Sequence, residues 1–154
     1  MMLDGDSFPM DPEKAAGTLQ AYADALPPEH PDTEDGHIRA IVSPHIDYQR
    51  GGRVYAEVWR AAAEAVRDAE LVIIFGTDHS GSAGSLTLTR QSYATPWGVL
   101  PTDLDLVRAL SDSLGADWAF AEELHHRGEH SIELAAVWLH FTRQGAPVSL
   151  LPVT

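Results

Sequence analysis

Apolar and polar positions alternate along this chain with two different periods, and the switches between them mark its elements. Ala15, Leu19, Tyr22 and Leu26 repeat at helical spacing behind Asp11-Pro12-Glu13, which supplies an N-cap, a first-turn proline and an acid at the positive end. Pro27-Pro28 stops that helix, and Glu29 to Gly36 is polar throughout. Ile38 to Val42 reads as a short strand. From Gly52 the helical period returns in Val54, Val58, Ala62 and Val66, flanked by Tyr55 and Trp59. Leu71 to Phe75 is a continuous apolar run, the pattern of a parallel strand buried on both faces. Leu86 and Leu88 alternate with Thr87 and Thr89, which predicts a strand with one wet face. Thr95-Pro96-Trp97-Gly98 is a turn. Thr102 caps a helix with Leu106, Val107, Leu110 and Leu114 inward, and a second helix runs from about Ser131 to Phe141. Gly145 ends it, and Val148 to Val153 reads as a last strand.

Strands that alternate with helices predict an α/β fold: a mostly parallel central sheet with helices on both faces. The length of 154 residues suits one domain with a real core. The last strand stops at Thr154, at the point where residues following a parallel strand build a site. The expectation is therefore a fragment or a shortened protein. Its uncovered apolar sheet edge should then make it a homo-oligomer or poorly soluble.

Charge narrows the functions. The formal net charge is -13, with 10 Lys and Arg against 23 Asp and Glu. No basic cluster is available for nucleic acid, while a cation is attracted. The absence of cysteine excludes a disulfide framework and a thiolate ligand within these residues. Met1 to Asp11 lacks the basic and apolar regions of a secretory signal, and no run reaches the length of a membrane span. A cytoplasmic location is expected.

The chemistry concentrates in histidine. His45 follows the Ile38–Val42 strand, and His79 follows Leu71–Phe75. A strand–helix–strand unit puts both strand ends on one edge of the sheet, where open α/β sheets bind ligands. Two imidazoles meeting there suggest a metal. Each alone can equally be a loop histidine capping a carbonyl, in a segment of ordinary turn residues. Gly51 and Gly52 permit a tight turn after the first. Asp78 and Ser80 can orient the second from outside the ligand shell. His130 sits at a helix start, three residues before Glu133, as a ligand, a proton donor or a capping residue. Near the positive end of a helix dipole it should be neutral and mostly buried. His125 and His126 read as a solvated loop, His30 and His37 as surface residues, and His140 as a cation near a helix C-terminus. Trp59, Trp118 and Trp138 should pack, and the Thr95–Gly98 turn can line the pocket mouth. No phosphate-binding glycine loop and no Gly-x-Ser-x-Gly elbow occurs.

Five segments together resemble the MEMO family, whose prokaryotic members are known as AmmeMemoRadiSam system protein B. They are Ser7-Phe8-Pro9-Met10-Asp11-Pro12, Pro44-His45-Ile46-Asp47-Tyr48, Gly76-Thr77-Asp78-His79, Tyr93-Ala94-Thr95-Pro96-Trp97-Gly98 and Glu129-His130-Ser131-Ile132-Glu133. The second departs from the family's Pro-His-Ala-Gly-Tyr in having Asp47 for glycine. The resemblance implies a fold similar to LigB-type class III extradiol dioxygenases. It implies a divalent metal, iron first and copper or zinc after it, on His45 and His79, with His130 lining the same pocket as acid or base. The family's later Ser-Asp-x-x-His and cysteine elements have no counterpart here, so only its amino-terminal half is represented. Two His hold a metal poorly without a carboxylate, for which Asp47 or Asp78 can serve. The implied function is a metal-dependent oxidoreductase acting on a small molecule. The other readings are a non-catalytic pocket for a peptide or anion and a zinc hydrolase.

Overall fold

The computed structural model describes residues 8–28, 38–82 and 84–154. Helix α1 (Pro12–Asp24) begins where Asp11 accepts the Lys14 amide at 2.9 Å. Helix α2 (Tyr48–Ala61) starts earlier than its apolar period indicates, because Asp47 caps it by accepting the Arg50 amide. Gly51 and Gly52 thus lie inside a helix rather than in a turn. Gly52 is small for another reason: a Cβ there would stand 2.5 Å from the Tyr22 ring of α1, so glycine lets the two helices approach. Helix α3 (Ala63–Asp68) leads into strand β1 (Leu71–Phe75).

Strand β1 pairs in parallel with strand β4 (Ser149–Val153), from Leu71 opposite Ser149 to Phe75 opposite Val153. This two-stranded parallel sheet is the centre of the α/β fold. The Ile38–Val42 segment joins no strand. The Leu86–Thr89 segment makes only an isolated antiparallel bridge, Leu88 to Val153. The Thr95–Gly98 turn belongs to a hairpin of β2 (Tyr93–Thr95) and β3 (Gly98–Leu100). Helix α4 (Leu104–Leu114) is capped by Asp103, which accepts the Leu106 amide, rather than by Thr102. The short α5 (Ala116–Ala119), a 3-10 turn (Glu123–Arg127) and helix α6 (His130–Thr142) follow.

Two apolar clusters lie on opposite faces of β4. Leu150 joins Tyr48, Tyr55, Trp138, Leu139 and Ile74 beneath α2 and α6. Leu151 and Val153 join Leu88, Val107 and Ala119 beneath α4 and α5. Helix α6 is apolar nearly all round, and Ser131 to His140 are all buried, as a central helix requires. Tyr48 anchors it by donating its hydroxyl to the Leu134 carbonyl at 2.8 Å. Strand β1 differs from its sequence expectation. Ile74 is buried, but Ile73 is 49% and Phe75 72% exposed, so β1 is covered on one face only. No described helix is long and apolar enough to cross a membrane.

Candidate metal centre at the carboxyl edge of the sheet

The chain leaves β1 into Gly76, whose amide still bonds the Val153 carbonyl at 2.8 Å. A Cβ on Gly76 would lie 2.5 Å from Ser131 Oγ and from Ile132, so glycine brings the strand end against the start of α6. There the backbone is stitched twice. Ser131 Oγ accepts the Thr77 amide at 2.9 Å and donates to the Thr77 carbonyl at 3.1 Å. Glu129, the N-cap of α6, accepts the Ser131 amide at 2.8 Å and the His79 amide at 3.0 Å. Its carboxylate also meets His79 Nδ1 at 2.9 Å.

Burial works to raise the Glu129 carboxyl, but the hydrogen bonds from His79 and Ser131 outweigh it and bring it down to about 2. An ionised carboxylate only accepts, so Nδ1 of His79 carries the proton. That assigns the tautomer and leaves the lone pair on Nε2, as in the carboxylate–histidine pairs that orient metal ligands.

His45, His79 and His130 come from three separated segments and meet at this edge. The ring centroids of His79 and His130 are 4.7 Å apart, His45 and His79 5.3 Å, and His45 and His130 5.9 Å. His79, Glu129 and His130 each offer a ligand atom within 4.8 Å of the others. An imidazole nitrogen about 2.1 Å from a metal puts its ring centre roughly 3.2 Å out. Two rings on one ion then lie roughly 4.5–5.2 Å apart. The His79–His130 spacing falls inside this range, the His45–His79 spacing lies at its upper edge, and the His45–His130 spacing is wider. The donor set, imidazoles with one carboxylate, suits a divalent first-row metal. The residues fit such an ion.

His130 lies in the cleft and is partly buried, with its side chain 38% exposed. The two aspartates available to complete a ligand set are used elsewhere. Asp47 caps α2 and pairs with Arg50. Asp78 accepts from His125 Nδ1 at 3.0 Å and from the Ser80 amide. Burial pushes the Asp78 carboxyl up, but His125 and these amides hold it below its ordinary value. Glu122 joins this second cluster and is itself bonded to the Ser82 and Ser85 hydroxyls. The carboxylate of the site is thus Glu129. Its neighbour in the motif marked a helix start, but nothing local tied it to His79, 50 residues away.

Three other histidine assignments change. His126 is buried, between the Tyr93 hydroxyl on Nδ1 and the Thr87 carbonyl and Thr154 hydroxyl around Nε2. His140 is buried too, bonded to Thr95 Oγ1 and the Gly145 carbonyl, so it is no surface cation. Burial lowers both imidazoles. His125 is partly buried on Asp78. His30 and His37, like Ser7 of the first motif, lie outside the described residues. The Thr95–Gly98 turn packs on the C-terminal half of α6, with Trp97 5.9 Å from Phe141, and is remote from the cleft at the N-terminus of that helix. Trp118 is exposed rather than packed. An apolar groove of about 580 Å³ runs between residues 38–45 and β1 and ends at His45, Thr77 and Ser131.

These features define an α/β protein with a histidine–carboxylate cleft at the carboxyl end of a parallel strand. The comparisons name the group: the family model of Memo-like proteins matches residues 1–154, and the chain belongs to that family. It is 32% identical over 149 residues to a MEMO1 family protein of Methanosarcina acetivorans. It is 30% identical over 155 residues to one of Methanopyrus kandleri and 26% over 149 residues to one of Methanosarcina barkeri. Each alignment takes in 97% of this chain but only 51–53% of the relative. The chain spans about half the length of the curated relatives it matches.

Proposed function

We propose that the cleft binds one divalent transition metal through His45 and His79, with Glu129 holding His79 and His130 beside them as acid or base. The observation that carries this reading is the meeting of three imidazoles at one edge, where a buried carboxylate holds His79. Such a metal supplies Lewis acidity and, as iron, electron exchange with oxygen. Iron is preferred, with copper and zinc next, and the function follows as a metal-dependent oxidoreductase of the non-haem, dioxygenase-like kind, in the cytoplasm.

The chain's own residues have three tasks. Glu129 fixes the tautomer of His79 and keeps Nε2 available. The groove along Ile38, Ile41 and β1 excludes water from an apolar or aromatic part of a small substrate and leads it to His45. His130, half-exposed beside the other rings, can hold or pass a proton at a substrate oxygen.

The test is metal analysis of protein purified without added metal. About one equivalent is expected. His79→Ala should abolish it, and Glu129→Gln should weaken the affinity about 10- to 100-fold. Oxygen uptake with the iron form separates an oxidoreductase from a zinc hydrolase. A metal-free protein that takes up none when it is supplied defeats this reading. The openness of the three rings then favours the pocket as a binder of a peptide or anion.

A further inference from the structure

A second pocket, of about 410 Å³, lies at the other end of α6 from the histidine cleft. Its walls are aromatic: Trp59, Trp97, Trp138 and Phe141, three of the chain's four tryptophans among them. Three of these rings, Trp97, Phe141 and Trp138, form a connected set. Trp97 and Phe141 are 5.9 Å apart, and Trp138 meets Phe141 edge-on at 5.7 Å. Ala16, Ala23, Ala56 and Ala63 bring only methyl groups to the lining and leave the space between the rings open.

The polar part of the lining has one sign. Among the described residues of the lining, Arg60 and Arg67 are the charged ones, on a chain with 23 acidic and 10 basic residues. Arg60 is held in place, donating Nη1 to the Pro27 carbonyl at 2.9 Å. The Arg67 backbone is pinned by Arg143, which donates to its carbonyl at 2.9 Å. Gln20, Thr142 and Gln144 add neutral polar groups. Trp138, in the wall, carries a buried indole N–H with no hydrogen-bond partner among the described residues. Buried donors are almost always paired. This indole N–H is the one buried side-chain nitrogen or oxygen left unpaired among the described residues.

We infer that this pocket binds a planar aromatic carboxylate. The ring stacks among Trp59, Trp97 and Phe141, where flat faces are preferred. The carboxylate meets Arg67, whose forked guanidinium matches its geometry. A volume of this size is in the range of small-ligand sites. The inference does not rest on the metal centre, because none of its histidines and not Glu129 lines this pocket, although Trp59 borders both the pocket and the groove that leads to His45.

The tryptophans provide the measurement. The ¹⁵N-labelled chain should show four indole N–H resonances, and Trp118, exposed on α5, serves as an internal control. Titration with 2-naphthoate should shift Trp59, Trp97 and Trp138 saturably, with the largest change at the Trp138 N–H, and leave Trp118 in place. Naphthalen-2-ylmethanol, which has the same ring without the charge, should bind at least about tenfold more weakly. Arg67→Glu should weaken 2-naphthoate binding by about tenfold or more. The dispersion of the indole resonances reports whether that variant is folded, and Arg67→Gln replaces it where it is not. Equal binding of the neutral compound, equal movement of Trp118, or indifference to both Arg67 substitutions would overturn the proposal.

Discussion

The two strands of the parallel sheet are both largely apolar, and the more apolar one, β1, is the less covered. On the face away from α6, Leu151 and Val153 of β4 are each 4% exposed, while their partners in register, Ile73 and Phe75 of β1, are open to solvent. The backbone is not the cause, because the ladder is regular along all five pairs. The cause is cover. Helices α4 and α5 and the Thr87–Thr89 segment lie over β4 and stop short of β1. Apolarity of a strand therefore says what it can bury, and the neighbouring layer decides whether it does.

The largest expected effect separates the strands directly. Leu150→Ala empties a fully buried position between α6 and the sheet and should lower the unfolding free energy by about 3 kcal/mol. Ile73→Ala removes a half-exposed side chain and should cost less than about 1 kcal/mol. Urea unfolding of both variants measures the difference. Equal losses would mean that β1 is as buried in solution as β4.

A second contrast is electrostatic. The covered end of β4 is closed by His126, through Thr154 and Thr87, whereas the end of β1 opens into the histidine cleft. Burial depresses the His126 imidazole below its ordinary 6.5. Between the depressed folded value and 6.5 the unfolded chain binds a proton that the folded chain refuses. The stability contributed is thus complete above pH 6.5 and is lost as pH falls below it, at up to about 1.4 kcal/mol per pH unit for this group. His140, depressed by the same cause, adds in the same direction. Unfolding midpoints between pH 7 and pH 5 should fall in the wild type and less steeply in His126→Asn. A flat wild-type profile would show that neither imidazole is sheltered.

What the sequence disclosed follows the range of the interaction that sets it. Helix α1 was legible because Asp11-Pro12-Glu13 and a four-residue stripe are local signals. The α6 start was legible from Glu129 and Ser131 for the same reason. The meeting of His45 and His79 was expected from a strand–helix–strand unit, but the Ile38–Val42 segment joins no strand, so the two rings come within 5.3 Å without the first strand that expectation required. The MEMO resemblance was legible because its motifs are spread along the chain in order, and the family match bears it out. Long-range facts were hidden. Glu129 reaches His79 across 50 residues, and His126 and His140 look like surface residues until Tyr93, Thr95 and the last strand close over them. The β2–β3 hairpin was hidden inside a turn motif whose flanks are only three residues each. The open face of β1 was hidden most completely, since an apolar run looks the same with one covering layer or two.

That face supplies the smallest expected effect. Ile73→Lys and Phe75→Lys place charges on a surface that already meets water, where substitutions usually change stability by about 0.5 kcal/mol or less. The same substitutions at Leu151 or Val153 would bury an unpaired ammonium and unfold the chain. At micromolar concentration the β1 variants should therefore unfold at the wild-type urea midpoint and remain monomeric by sedimentation. A wild type that sediments as an oligomer, and a β1 variant that does not, would show that a second copy takes the place over Ile73 and Phe75 that α4 and α5 take over β4. A loss of stability in the variants approaching that of Leu150→Ala would carry the same meaning, because only a covered face makes a lysine costly there.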